Sequence, residues 1–249
     1  MSIMYIIMID VNQFFYKNKK KIFIFSTISA FVNLFITFIC RLNINDISIL
    51  YNLDYSKKLS LFNIINNMNI NQKNIIFYIE SIKIMSTVIS QFLLTTLVIW
   101  LIPFISLSLI KKFIYVQTQI LKSFFLFILT IYLQFSLIEI KYDFFIIIRI
   151  LLSTLLLVSV IFYIIEKKNI FYSIKNSTKI MINNIYLIIP MIFFWLIFKW
   201  LILILLKLFN IFSMYTNIFI LNIFINIYFS YIIIYLFRFY IFYKAKDII

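Results

Sequence analysis

The sequence predicts an all-α, polytopic membrane bundle of about six transmembrane helices with amphipathic interfacial helices. Three observations lead there. Mean hydropathy is +1.08, and charged residues make up 12% of the 249-residue chain, against about a quarter in soluble domains. A soluble fold of this length cannot bury so much Ile, Leu and Phe. The apolar residues also come in six runs, each near the ~20 helical residues that a hydrocarbon layer needs. Finally, these runs lack the apolar–polar alternation of barrel strands, so helices are what satisfies the backbone in lipid.

The chain begins with residues 1–16, where Met4, Ile7, Met8, Val11, Phe14 and Phe15 recur at helical spacing. A helix lying along the inner membrane surface is expected there. "KNKKK" at 17–21 precedes the first span, Ile22–Cys40. That run lacks a small-residue cleavage site, so it reads as a retained helix and not a removed signal. Residues 41–83 form the one sizeable hydrophilic region, an asparagine-rich extracytoplasmic loop too short for a catalytic domain of its own.

The second span, Ile84–Ile110, is longer than a crossing needs, and Pro103 in its last third predicts a kink, a tilt or an early exit. Segment 111–122 reads as a basic connection. The third and fourth spans, Ser123–Ile140 and Phe144–Ile165, form a tight hairpin around Lys141, Tyr142 and Asp143. Between the fourth span and the fifth, Ile185–Leu206, lies "IEKKNIFYSIKNSTKIMINN" at 165–184. On a helix, Ile170, Phe171, Ile174, Met181 and Ile182 would share one face and Lys168, Lys175, Asn176, Lys179 and Asn183 the other. A basic amphipathic helix beside a span belongs in the interface, its lysines on anionic headgroups. The sixth span is Ile218–Phe237, and the whole chain, 1–249, reads as a single integral membrane domain.

Orientation follows from the basic residues. With the N-terminus inside, fourteen Lys and Arg fall on inner segments and seven on outer ones, while acids number three inside and five outside. That asymmetry puts both termini in the cytoplasm of a bacterial inner membrane. The formal charge of +15 sits at span ends and not in one aromatic-interleaved stripe, so no nucleic-acid partner is expected. The expected partners are the bilayer, its anionic headgroups and another membrane protein.

The missing residues exclude chemistries. With no Gly there is no phosphate loop, dinucleotide fingerprint or nucleophile elbow. With no His and one Cys (Cys40), there is no imidazole base, no histidine ligand and no internal disulfide. Ser177 and Lys179 are two apart and point to different helix faces, which argues against a Ser–Lys dyad. No catalytic, cofactor-binding or metal-binding residue is expected, and the chain is expected not to be an enzyme. Dominant Ile, Phe, Asn, Lys and Tyr are residues of A/T-rich codons, as in a reduced bacterial symbiont.

Functional suspects are the polar groups within spans. Arg149 and Lys199 are charges inside apolar runs, where ionisable groups mark function by default and long stems can also snorkel to the surface. Asn222, Asn226 and Ser230 share one face of the sixth span; Gln134 lies mid-way along the third, and Ser86, Ser90 and Gln91 on the second. Such groups either join helices or line a polar path.

"NQFFYKN" at 12–18, "NMNINQ" at 67–72, "FFWLIFKW" at 193–200 and above all "YLFRFYIF" at 235–242 resemble, in order and spacing, the YciC family of enterobacterial inner-membrane proteins. The resemblance runs nearly end to end. It implies a multi-spanning inner-membrane protein of uncharacterised function and assigns no residue a role. The family carries Pro and Gly around its fourth span, where this chain reads "YDFFIIIRILL", so no hinge carries over. The sequence thus leads to a non-enzymatic structural or accessory protein of the envelope; the alternative is a small permease with Lys199 and the sixth-span stripe on its path.

Overall fold

The structure, a computed structural model, describes residues 3–40, 69–102, 109–135, 143–166, 169–188 and 214–246, together with Pro190, Ile197, Leu201 and Ile204. Among the described residues every regular element is a helix: α1 (Ile3–Ile39), α2 (Ile70–Leu101), α3 (Leu109–Lys122), α4 (Phe124–Phe135), α5 (Asp143–Glu166), α6 (Ile170–Asn183) and α7 (Met214–Lys246). Of these, α1, α2 and α7 are long and apolar enough to cross a membrane; α3 and α4 together would make a fourth if counted as one bent span. The 24 residues of α5 reach about 36 Å at 1.5 Å per residue.

The expected surface helix at 1–16 is corrected. Residues 3–39 form one α-helix of 37 residues, about 55 Å long. No Gly or Pro interrupts the KNKKK segment, and lysine is a good helix former, so nothing stops the helix before the span. Val11 and Ile7 are buried like the core residues of the span.

The boundaries of α2 also differ from expectation. It begins at Ile70, inside the segment read as loop, because Asn69 and Gln72 form a cap: the Asn69 amide donates to Gln72 Oε1 at 2.9 Å. That reciprocal capping fixes a helix start. The helix ends at Leu101, and Ile102 is extended (φ −72°, ψ 124°). The residue before a proline is pushed out of the helical region, which ends α2 just before Pro103; the expected kink, tilt or early exit at Pro103 itself lies outside the described residues. At its other end α7 runs to Lys246, past the sixth-span boundary at Phe237.

Helix α1 makes its most extensive contact with α7 and its next with α2. Asn12, Phe15 and Ser26 of α1 meet Tyr231 and Asn226 of α7 in reversed order, so the two are antiparallel. Phe25 and Ser29 of α1 meet Trp100 and Ser90 of α2 in the same reversed sense. In a chain without glycine, serine supplies the small side chain that lets helices approach. Ser26, Ser29 and Ala30 of α1 and Ser230 of α7 are wholly buried, as are Ser159 of α5 and Ser177 of α6. The outer faces carry Phe23, Phe31, Phe35 and Phe38 of α1 and Phe224 of α7, side chains suited to lipid and not to water.

The tight hairpin tip, Lys141 and Tyr142, lies outside the described residues, as do most of the expected fifth span and the start of the loop at 41–68. Helices α4 and α5, which that tip joins, pack on one another.

Candidate functional site

Among the described residues, two regions gather polar side chains: a neutral layer inside the bundle, and a charged cluster at one end.

The neutral layer joins α1, α2 and α7. Gln91 Nε2 donates to Asn226 Oδ1 at 2.8 Å, and Asn226 Nδ2 donates to the Ser26 carbonyl at 3.1 Å. One amide thus ties three helices. Beside it, the Ser29 hydroxyl donates to the Ser90 carbonyl at 2.8 Å and Asn33 Nδ2 to Ser90 Oγ at 3.3 Å. Ser230 donates to the Asn226 carbonyl one turn back. Ser86 turns inward on its own helix, bonding the Lys83 carbonyl. The layer is incompletely paired: Ser26 Oγ, Gln91 Oε1 and Thr95 Oγ1 are buried with no hydrogen-bond partner among the described residues. Buried oxygens of this kind are places for internal water.

The charged cluster joins the first turns of α1 to the ends of α5 and α7. Lys244 Nζ reaches Glu166 Oε1 at 2.6 Å, and Tyr240 donates to the same oxygen at 2.7 Å. Arg238 Nε lies 3.4 Å from Asp10 Oδ2, an ion pair without hydrogen-bond alignment, and its guanidinium sits over the Phe14 ring. These contacts pin the end of α7 to both α5 and α1. None of these four contacts is legible in the sequence, because each joins residues far apart in the chain.

Two short helices pack onto this end, α3 and α6. The lysine Lys112 of α3 is buried, and its Nζ donates to the Ile102 carbonyl at the end of α2. A cation on a helix's last carbonyls is favoured by the dipole; burial pushes its pKa below the ordinary lysine range. Tyr115 donates to the Ile164 carbonyl of α5 at 2.7 Å. Helix α6 lies on α5 through buried Ser173, Ser177, Ile180 and Met181, with Ser177 hydrogen-bonded to Ser159 of α5. Since Ser177 is buried and Lys179 exposed, they do not converge.

The two-faced reading of 165–184 needs correction. The bundle takes the serine side of α6, which leaves Phe171 and Ile182 outward at 86% and 68% exposure. Lys175 and Lys179 are exposed between them. The outer surface of α6 therefore mixes apolar and basic side chains.

Of the residues singled out in the sequence, Asn226 and Gln91 come together, with Asn222 half-buried one turn away. Lys168 and Lys199 lie outside the described residues. Arg149 falls within α5, and its side chain, like that of Gln134 in α4, lies outside the described part. Lys111, Lys112 and Lys122 were missed because 111–122 was read as a connection, although Lys112, Val116 and Ile120 recur every four residues. Among the described residues no group of three His, Cys, Asp or Glu could hold a metal.

Comparison with known proteins agrees with a membrane assignment. The chain is 34% identical over 235 residues to a UPF0259 membrane protein of Buchnera aphidicola subsp. Acyrthosiphon pisum (strain Tuc7), covering 93% of this chain and 94% of the relative. The UPF0259 membrane protein of Buchnera aphidicola subsp. Schizaphis graminum (strain Sg) is 33% identical over 233 residues, with 93% and 94% covered. That of Buchnera aphidicola subsp. Baizongia pistaciae (strain Bp) is 32% identical over 220 residues, with 87% and 86% covered. No solved structure matches the chain. The uncharacterised protein family UPF0259, which is the YciC family, matches residues 1–242, and the chain belongs to it: it is a helical membrane protein of UPF0259.

Proposed function

We propose that this chain is a non-enzymatic accessory protein of the bacterial inner membrane that holds anionic lipid, or a membrane-protein partner, on a basic cytoplasmic face. The single observation that carries the reading is the outer surface of α6. Phe171 and Ile182 point away from the bundle with Lys175 and Lys179 between them, a pattern suited to acyl chains and phosphates together. Lys168 is assigned to the same surface from its place in the sequence. Tyr172 and Tyr186 are also exposed on this segment, and amphipathic rings favour the headgroup level.

The reading includes six spans, with both termini in the cytoplasm. Support comes from the positive-inside asymmetry and from the antiparallel pairing of α1 with α7 and α2, which brings the start of α1 and the ends of α2 and α7 to one side. The fifth and sixth crossings of that count rest on the sequence for residues 185–206 and on α7.

A second reading, a small permease with Lys199, Asn222 and Asn226 on its path, is favoured by one observation, the unpaired oxygens beside Asn226. The amide pairing across three helices supports joining over transport, since a path must release such contacts.

Native mass spectrometry of protein extracted gently from its own membrane tests the reading. Retained anionic phospholipid or a reproducible protein partner, lost on Lys175→Gln with Lys179→Gln, is the expected result. A bare protein carrying one small solute, unaffected by those substitutions, would move the assignment to the permease.

A further inference from the structure

The geometry of α3 suits neither the basic connection that the sequence suggests nor part of a span. It meets α4 at Ser123 with a bend of 74°. The bend keeps its hydrogen bonds: Ser123 Oγ bonds the Gln119 carbonyl, and the Phe127 amide bonds the Ser123 carbonyl. Serine bonded back into the preceding turn is a known cause of helix bending. If α4 follows the bilayer normal, α3 lies within about 16° of the membrane plane, apart from ordinary span tilt of ~20°.

Its two sides differ. Lys112, Val116 and Ile120 are buried in the bundle. Outward are Ile114 and Leu121, two turns apart at 54% and 51% exposure, with Lys111, Thr118 and Lys122 around them. The helix carries three lysines and no acid in 14 residues. Three ammonium groups make it a poor half-span, because each costs about 2.5–3.5 kcal/mol at the bilayer centre. Two outward aliphatic side chains make it a poor water-facing loop. The same outward mixture recurs on α6, and both helices pack on α5. Positive charge with no acid is complementary to phosphate-bearing lipid.

We propose that α3 is a second interfacial helix, seated on anionic phospholipid through Lys111, Ile114, Leu121 and Lys122. This deepens the function proposed above and rests on it. The test places a spin label at Ile114→Cys or, in a second variant, Thr118→Cys, each in a Cys40→Ser background. The full chain is held in nanodiscs of phosphatidylcholine with or without phosphatidylglycerol, and label depth is read from oxygen against nickel-chelate accessibility. A label at Ile182→Cys on α6 is the internal reference.

The expected depth at position 114 is ~5–10 Å below the headgroup surface. With Lys111→Gln and Lys122→Gln, that depth decreases only in discs containing phosphatidylglycerol. A label near the bilayer centre would make α3 half of a broken span and overturn the proposal, as would a fully nickel-accessible one. Depth indifferent to lipid charge would overturn the anionic preference. Failure at 114 and 118 with an interfacial 182 removes this inference alone; failure at all three removes the function proposed above as well.

Discussion

The layer around Asn226 and the cluster around Glu166 use opposite chemistry to join α7 to its neighbours. In the interior, α1, α2 and α7 are tied by amides and hydroxyls, with no charge between residues 22 and 39, 84 and 101, or 214 and 237. At the end, α7 meets α1 and α5 through Asp10–Arg238 and Glu166–Lys244. Desolvation explains the division. A neutral amide gives up a modest hydration energy and regains it in one hydrogen bond, whereas an ion needs a partner and nearby water. Interior contacts are therefore expected to set stability, and end contacts to set what the protein touches.

The strongest test of that division introduces one charge into each region. Asn226→Lys puts an ammonium into the three-helix layer and should cost about 2.5–3.5 kcal/mol, read as loss of monodisperse protein in size-exclusion chromatography. Asn183→Lys on exposed α6 should change stability by no more than about 0.5 kcal/mol. Equal losses would erase the distinction between the regions.

A smaller effect sharpens the interior side. Gln91→Leu leaves Asn226 Oδ1 without its donor, and Asn226→Leu leaves the Gln91 amide unmet and removes the side-chain donor from the Ser26 carbonyl. The Ser26 carbonyl, within the continuous helix α1, loses only an added donor, so each substitution should cost about 1–3 kcal/mol through the Gln91–Asn226 bond, lowering Tm by about 2–4 °C per kcal/mol. The double substitution should cost less than the two together, because the same bond is lost twice. Strict additivity in thermal melts would mean that the two side chains do not pair.

Smaller again is Glu166→Gln. Lys244 is about half exposed in its pair with Glu166, so the ion pair is worth no more than about 1 kcal/mol. Its contribution should fade as salt rises past physiological strength, where the Debye length is about 8 Å. Thermal melts across a salt series measure this, and a salt-independent loss would assign Glu166 a buried role. The smallest effect is Asp10→Asn. Asp10 is half exposed and its pair lacks hydrogen-bond alignment, while Arg238 keeps its place on Phe14; a contribution of no more than about 0.5 kcal/mol shifts the melting temperature by at most about 2 °C.

How far the sequence was legible follows the range of the interactions. Length and hydropathy are local, and they sufficed for a helical membrane protein, for α5 and for the body of α7. The capping pair Asn69–Gln72 was present in the quoted "NMNINQ" but read as loop, since asparagine richness masked a cap. Periodicity found α6 and not which side of it the bundle takes. Its buried side is set by Ser173 and Ser177, small residues whose role is to admit a neighbouring helix and which carry no hydrophobic signal. Gln91 and Asn226 were each visible as polar residues in a span, but their pairing across 135 positions was not.

The claim that the basic end faces the cytoplasm is tested most directly by labelling from each side. In a Cys40→Ser background, Lys175→Cys and Lys57→Cys are exposed to a membrane-impermeant maleimide, first in spheroplasts and then in inverted vesicles. Position 175 is expected to react only in inverted vesicles and position 57 only in spheroplasts. The reverse pattern would place the lysines of α6 outside the cell and contradict it.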